Sequence, residues 1–152
     1  MFEVLCNYYL THGEDFFQTG DVYGELSALG LSDEQMGESL EILSGRGFIE
    51  TKAIAGGDIW GIKLYSFSLH AFLCVAMREY DSMVIKIISQ IVNQEQTNSK
   101  ALQENTGIPL PIVLHVLRFL RDKGLLQLTG PAGFAFFHAF NVSPELKRIL
   151  HH

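Results

Sequence analysis

Two segments of the chain repeat each other at an offset of 77 residues. Gly30 to Met36 aligns with Gly107 to Val113, and the register holds for twenty residues. Apolar positions and a second glycine match further along: Leu40 with Leu117, Leu43 with Leu120, and Gly47 with Gly124. The apolar residues and glycines agree while the polar residues differ, which is typical of two copies of one fold with different surfaces. We therefore expect two similar units in tandem.

The first copy is predicted to contain three helices and a hairpin. Helices are expected from Phe2 to Leu10 and from Asp21 to Ala28, and Gly30 makes the following turn. Ser32 caps the third helix together with Gln35, three residues later, which is the spacing of a capping box. The remaining features are a helix end near Gly45 and Gly47, and strands from Phe48 to Ile54 and from Ile59 to Tyr65, joined by Gly56-Gly57-Asp58.

The second copy is predicted to follow the same plan and to add a closing helix. Its turn falls at Gly107, and Pro111 fits the first turn of a third helix that runs to about Lys123. Ser143 and Pro144 are typical of the cap and first residue of the closing helix. The remaining predictions are helices from Ser82 to Val92 and Ser99 to Asn105, and strands from Leu125 to Leu128 and Phe134 to Phe140, joined by Gly130-Pro131-Ala132-Gly133.

A helix-turn-helix followed by a two-stranded hairpin resembles the winged-helix fold, here in tandem over nearly the whole chain. The resemblance implies a mainly α protein with small β-hairpin wings, an α+β class. We expect winged-helix units at residues 1–66 and 82–152, with an apolar linker helix at residues 67–81 between them. Since no linker rich in Gly, Ser or Pro separates the copies, the two units are expected to pack as one body.

Proteins that share this arrangement work in two ways. In bacterial transcription regulators the third helix enters the DNA major groove. In the tandem winged-helix partners of chromosome-condensing complexes, which are often acidic, the module binds other proteins. The resemblance therefore implies a role in transcription control or chromosome organisation, with either DNA or a protein as the partner.

Composition excludes several classes of protein. Of the 152 residues, 47% are apolar and only 18% are charged, which argues against disorder. The longest apolar-rich run, Phe67 to Met77, is too short to span a bilayer, and no basic region precedes an apolar stretch at the start of the chain. Two lone cysteines, Cys6 and Cys74, favour a reducing compartment. We expect a cytoplasmic globular protein with no membrane partner.

Charge distinguishes the two copies. Residues 1–81 contain thirteen acidic and four basic side chains, a net charge of −9. Residues 82–152 contain four acidic and seven basic side chains, a net charge of +3. These opposite charges favour head-to-tail self-association, and a symmetric homodimer through Phe2 to Tyr9 or the closing helix is an alternative.

The outward face of the third helix differs between the copies. In the first copy this face is acidic and carries Asp33, Glu34, Glu38 and Glu41. Because carboxylates repel phosphates, we interpret it either as a solvated face or as an acidic patch for a basic partner. In the second copy the face carries Leu110, Pro111, Leu114, His115, Arg118 and Arg121. Its N-terminal part, which usually reads bases, consists of Leu and Pro, which cannot form bidentate hydrogen bonds with them.

Two interpretations of the second copy stay open. Leu110, Leu114 and His115 are predicted as a protein interface, and Trp60 in the first hairpin as a further anchor for a partner. The alternative for the two leucines is a place in the core. A DNA-binding surface would instead use the basic residues of this copy, namely Lys100, Arg118, Arg121 and Lys123.

Motifs for chemistry are absent from the sequence. It contains no Gly-rich phosphate loop, no paired-cysteine motif and no nucleophile elbow. We predict no catalytic residue, no cofactor and no metal site. The leading hypothesis is a non-enzymatic tandem winged-helix module that acts mainly through protein contacts in a DNA-related process. The alternatives are a DNA-binding transcriptional regulator that uses the second unit as a dimer, and a regulatory domain of a longer chain.

Overall fold

Helices dominate the structure, and short antiparallel strands accompany them. The computed structural model describes residues 1–95, 97–130 and 136–151. In these ranges the helices are α1 (Phe2–His12), α2 (Thr19–Ser27), α3 (Asp33–Gly45), α4 (Ser66–Ala76), α5 (Tyr80–Asn93), α6 (Ser99–Thr106), α7 (Leu110–Asp122) and α8 (Pro144–Ile149). The strands are β1 (Phe16–Gln18), β2 (Ile49–Ala53), β3 (Ile59–Leu64), β4 (Gln127–Thr129) and β5 (His138–Phe140). The prediction of a mainly α protein with small β elements is confirmed.

The chain divides into two compact units, Met1–Phe72 and Leu73–His152, and the division falls inside α4. Residues 67–81, predicted as a linker helix, hold most of α4, a break at residues 77–79 and the start of α5. Within the described ranges, none of the helices combines the length and apolar character that a bilayer crossing requires.

The first unit combines α1, α2 and α3 with a three-stranded sheet. The strand order is β1-β3-β2, both pairings are antiparallel, and Phe17 lies opposite Ile62 in the β1–β3 register. The sequence pattern does not predict β1. Buried residues from the helices and the sheet form the core of this unit: Leu5, Tyr9, Phe17, Val22, Leu26, Leu40, Ile62 and Leu64. The sheet thereby holds the hairpin of β2 and β3 beside α2 and α3.

The second unit combines α5, α6 and α7 with the β4–β5 hairpin and α8. Asn98 forms a bridge with His138, so the residues before α6 lie beside β5 as β1 lies beside β3. Ser143 caps α8, because its side chain accepts a hydrogen bond from the backbone of Leu146. Residues 131–135 lie outside the described ranges; they include most of the predicted turn and the start of the strand predicted from Phe134.

Glycines with a left-handed backbone flank the third helix in both units. Gly30 and Gly107 precede it with φ values of 77° and 70°, and Gly47 and Gly124 follow it with 77° and 73°. A residue with a Cβ atom is disfavoured at such φ values. The glycines that match in the sequence repeat therefore lie at the same two places in each unit, in the turn before the third helix and just after its end.

We expect Ser32→Ala to lower the free energy of unfolding by about 1 kcal/mol, because α3 would lose its N-cap. The Ser32 side chain accepts the backbone N–H of Gln35, and the Gln35 side chain accepts the backbone N–H of Ser32, so the predicted capping box is confirmed. Urea denaturation of both proteins measures the difference. Ser39→Ala, farther along α3, is the control and should be neutral or slightly stabilising. An equal loss in both variants would contradict this role.

The two cysteines should differ sharply in reactivity. Cys6 is fully buried, and burial, together with the charge of Glu3, raises the pKa of its thiol to about 12. Cys74 is exposed, although partial burial and Asp81 also raise the pKa of its thiol. Because the thiolate is the reactive form, we expect Ellman's reagent at pH 8 to modify Cys74 in the folded protein and Cys6 only after unfolding. Rapid modification of the folded Cys74→Ser variant would contradict the burial of Cys6.

Candidate functional site

A groove in the first unit lies between α2, α3 and the turn of the β2–β3 hairpin. Its volume is about 460 Å³. The residues that line it are Thr19, Tyr23, Leu26, Asp33, Glu34, Met36, Gly37, Leu40, Glu41, Gly57, Asp58 and Ile59. Three separate segments of the chain therefore contribute to one concave surface.

The floor of the groove is apolar and its rim is acidic. Leu26, Met36 and Leu40 are buried apolar residues of α2 and α3. Four exposed carboxylates belong to the same surface, Asp33, Glu34 and Glu41 from α3 and Asp58 from the hairpin turn. None of the lining residues that the structure describes carries a positive charge. The groove thus combines an apolar surface with uncompensated negative charge.

A hydrogen bond connects the two helices that form the groove. The Tyr23 hydroxyl of α2 donates to Asp33 Oδ1 of α3 at 2.8 Å. This hydrogen bond and the charge of Asp33 raise the pKa of the Tyr23 hydroxyl. Tyr23 is 46% exposed, so its ring stands at the edge of the groove with its hydroxyl already engaged.

The start of α3 places carboxylates where the helix itself favours them. Asp33 and Glu34 occupy the first turn after the Ser32 cap, next to the partial positive charge of the helix N-terminus. Glu41 lies two turns farther along and has no such local role. Of the four residues predicted as an acidic patch, the structure brings Asp33, Glu34 and Glu41 together on the groove. Glu38 is exposed but does not line it.

Gly37 interrupts the groove wall between Glu34 and Glu41. A Cβ atom added at this position would meet no other atom within 4 Å. The absence of a side chain here therefore leaves open space in the groove. Tyr23, Gly37 and Asp58 were not predicted as site residues, because their proximity arises only when α2, α3 and the hairpin pack together.

The predicted interface on α7 is wrong for two of its three residues. Leu114 and His115 are 0% and 1% exposed, whereas Leu110 is half-buried. The residues from 112 to 117 are all buried, because α7 packs against α5, α6 and β4 within its own unit. His115 Nε2 forms a hydrogen bond of 2.9 Å with the hydroxyl of Tyr80, which is itself fully buried. The core interpretation of Leu114 is therefore correct.

The basic residues predicted for DNA contact lie toward one end of α7 and at the start of α6. Lys100 is exposed in the first turn of α6. Arg118 is half-buried, and its guanidinium lies 5.1 Å from the ring centre of Phe137. Arg121 is exposed and forms an ion pair with Asp122 at 3.0 Å. Lys123, also exposed, lies over the ring of Phe119.

Trp60 lies at an irregularity in the β2–β3 hairpin. Lys52 pairs with Gly61 and Ala53 pairs with Ile59, so Trp60 is the extra residue of a β-bulge. Its ring meets that of Phe16 edge to face at 5.7 Å and stays 44% exposed. This exposure leaves Trp60 accessible, as the predicted role of a partner anchor requires.

We expect Tyr80→Phe to destabilise the second unit by about 1 kcal/mol, because the variant loses the buried hydrogen bond to His115. Thermal and urea denaturation of the variant and the parent measure the change. Tyr65→Phe is the matched control, since Tyr65 is 37% exposed and should be close to neutral. Equal stability of all three proteins would contradict a stabilising role for the buried pair.

No protein-family model matches the chain, and neither a curated protein nor a solved structure matches it. Among the described residues, no group of three or more His, Cys, Asp and Glu side chains is arranged to hold a metal ion. The groove of the first unit, the buried helix α7 and the charges of the chain are therefore the features that bear on its function.

Proposed function

We propose that this chain is a non-enzymatic tandem winged-helix module that acts mainly through protein contacts in a DNA-related process, either transcription control or chromosome organisation. The order of three helices and a hairpin in each unit, together with the repeat of 77 residues, supports the winged-helix assignment. Cys6 and Cys74 are both thiols that form no disulfide, which supports a reducing, cytoplasmic setting. The observation that carries the proposal is the exposed acidic surface of α3.

In the winged-helix arrangement, α3 is the helix that would enter a DNA groove. Its exposed face carries the carboxylates of Asp33, Glu34, Glu38 and Glu41. Asp58 adds another from the neighbouring hairpin turn. DNA affinity depends largely on the neutralisation of phosphates by basic side chains. A negative surface at this position therefore favours a protein partner over a nucleic acid.

The equivalent helix of the second unit, α7, supports the same conclusion for a different reason. Most of the residues from Ile112 to Leu120 are packed inside the unit, and its first turn is Leu110, Pro111 and Ile112. Direct readout needs side chains near the helix N-terminus that donate or accept hydrogen bonds at base edges. The first turn of α7 thus lacks the hydrogen-bonding side chains of direct readout, whereas α3 lacks the positive charge that phosphate binding requires.

A DNA-binding regulator that uses the second unit as a dimer is the alternative. The exposed side chains of Lys100, Arg121 and Lys123 favour this alternative, because the net charge of this half of the chain is positive. Such a protein would bind through phosphates, with little contribution from base edges.

The two proposals differ in their response to DNA and salt. We expect no measurable binding of random-sequence duplex DNA by fluorescence anisotropy at about 150 mM salt, and at most weak binding at about 50 mM. Arg121→Ala with Lys123→Ala should then behave like the parent. Lys147→Ala with Arg148→Ala removes two exposed basic residues from α8 and is the matched control.

Strong binding at low salt that falls steeply with added salt, and that is lost in the Arg121 and Lys123 variant but kept in the α8 control, would overturn the protein-contact proposal. Such a result would establish the second unit as a DNA-binding surface. Binding lost equally in both variants would indicate a response to net charge instead of a defined site, and would leave the protein-contact proposal in place.

A further inference from the structure

We propose that the groove of the first unit binds an extended segment of a partner protein that carries lysine or arginine side chains beside an apolar one. This inference rests on the proposed function and specifies the partner. The apolar side chain would sit on the floor formed by Leu26, Met36 and Leu40, and the basic side chains would meet the carboxylates of the rim.

The size of the groove suits side chains of a peptide. Its volume of about 460 Å³ lies within the range of roughly 300–1,000 Å³ that is usual for ligand sites. Residues of α2, α3 and the hairpin turn surround it, so a chain lying in it would contact three elements at once. Burial of an apolar side chain on this floor would supply affinity that charge alone does not provide on an exposed surface.

The carboxylates of the groove have no basic partner among the described residues, which leaves their charges available to a partner protein. The ion pairs found among the described residues join Lys52 with Glu50 and Arg121 with Asp122, and none involves a carboxylate of the groove. Asp33 already accepts the hydroxyl of Tyr23. The charges left for a partner are those of Glu34, Glu41 and Asp58, and hydrogen bonds between such carboxylates and cationic side chains are stronger than neutral ones.

The spacing of these charges matches an extended chain. Glu34 and Glu41 are two helical turns apart, which corresponds to a separation of about 10.5 Å along α3. Residues three positions apart in a polyproline II segment, which has three residues per turn, lie on one face and are about 9 Å from each other. An extended segment in this conformation with basic residues at every third position can therefore reach both carboxylates, while one side chain in each turn faces the floor.

Substitution of Gly37 by a larger residue tests directly whether a peptide lies in the groove. Its missing side chain leaves space between Glu34 and Glu41, and a larger residue would fill that space without contacting the protein around its Cβ. A helix-interior glycine is also unfavourable, so its replacement should maintain or raise the stability of α3. Gly24 on α2 is the matched control, because it is helical and exposed, has equally open surroundings and does not line the groove.

The experiment uses fluorescence anisotropy with a fluorescein-labelled peptide of three Lys-Leu-Ser repeats, which places lysine at every third position. We expect saturable binding to the whole chain, weakened about ten-fold by Gly37→Leu and unchanged by Gly24→Leu. Glu34→Gln with Glu41→Gln should weaken binding by a similar factor. Glu38→Gln, on the same helix but outside the groove, should leave it unchanged.

Three results would overturn the inference. One is the same affinity in the parent and the Gly37→Leu variant, with thermal denaturation showing that the variant is folded. Another is equal affinity for a peptide of Lys-Ser-Ser repeats, since surface charge alone would then explain the binding. The third is no binding at all, which would remove the basic segment as occupant. The protein-contact proposal is judged separately, by the duplex DNA measurement, so failure of one is distinguishable from failure of the other.

Discussion

Both units depend on glycines that adopt a left-handed backbone on either side of the third helix. Gly30 and Gly47 flank α3, and Gly107 and Gly124 flank α7, with φ values between 70° and 77°. Other residues are disfavoured at these positions because their Cβ atoms would clash with the backbone. The two helices also have the same length of 13 residues and the same place between a turn and a hairpin.

Although matching glycines flank them, α3 and α7 differ in how much of each helix is buried. In α3 only Met36 and Leu40 are buried, so most of the helix faces solvent and its carboxylates define the groove. In α7 residues 112–117 and Leu120 are buried, and the ring of His115 forms a hydrogen bond with the hydroxyl of Tyr80 inside the unit. The third helix therefore forms an exposed surface in the first unit and part of the core in the second.

Local features of the structure follow from the sequence, whereas features that need distant neighbours do not. The Ser32 capping box and the start of α8 at Pro144 depend on residues close in sequence, and both were predicted correctly. Strand β1 was missed because three residues show no detectable period, and its partners lie more than 40 positions away. The exposure of Leu114 was predicted wrongly because helical spacing identifies a face without telling whether another element covers it.

The candidate site shows the same limit. Its acidic residues on α3 could be identified from spacing, because Asp33, Glu34 and Glu41 recur at helical intervals. Tyr23 and Asp58 could not be added to them from sequence, since one lies on another helix and the other in a hairpin turn. The apolar floor could not be predicted from sequence either, because Leu26 and Leu40 are buried and have the spacing of ordinary core residues.

Trp60, at the bulge of the β2–β3 hairpin, also gives the first unit a fluorescence signal of its own. Trp60 is the single tryptophan of the chain, so all indole emission comes from the first unit, next to Ile59 on the groove wall. An indole that is 44% exposed senses changes in nearby solvent and charge. Tryptophan fluorescence, excited selectively over that of tyrosine, therefore reports on the first unit alone. Circular dichroism reports on the helices of both units, so the two signals together separate the unfolding of one unit from that of the other.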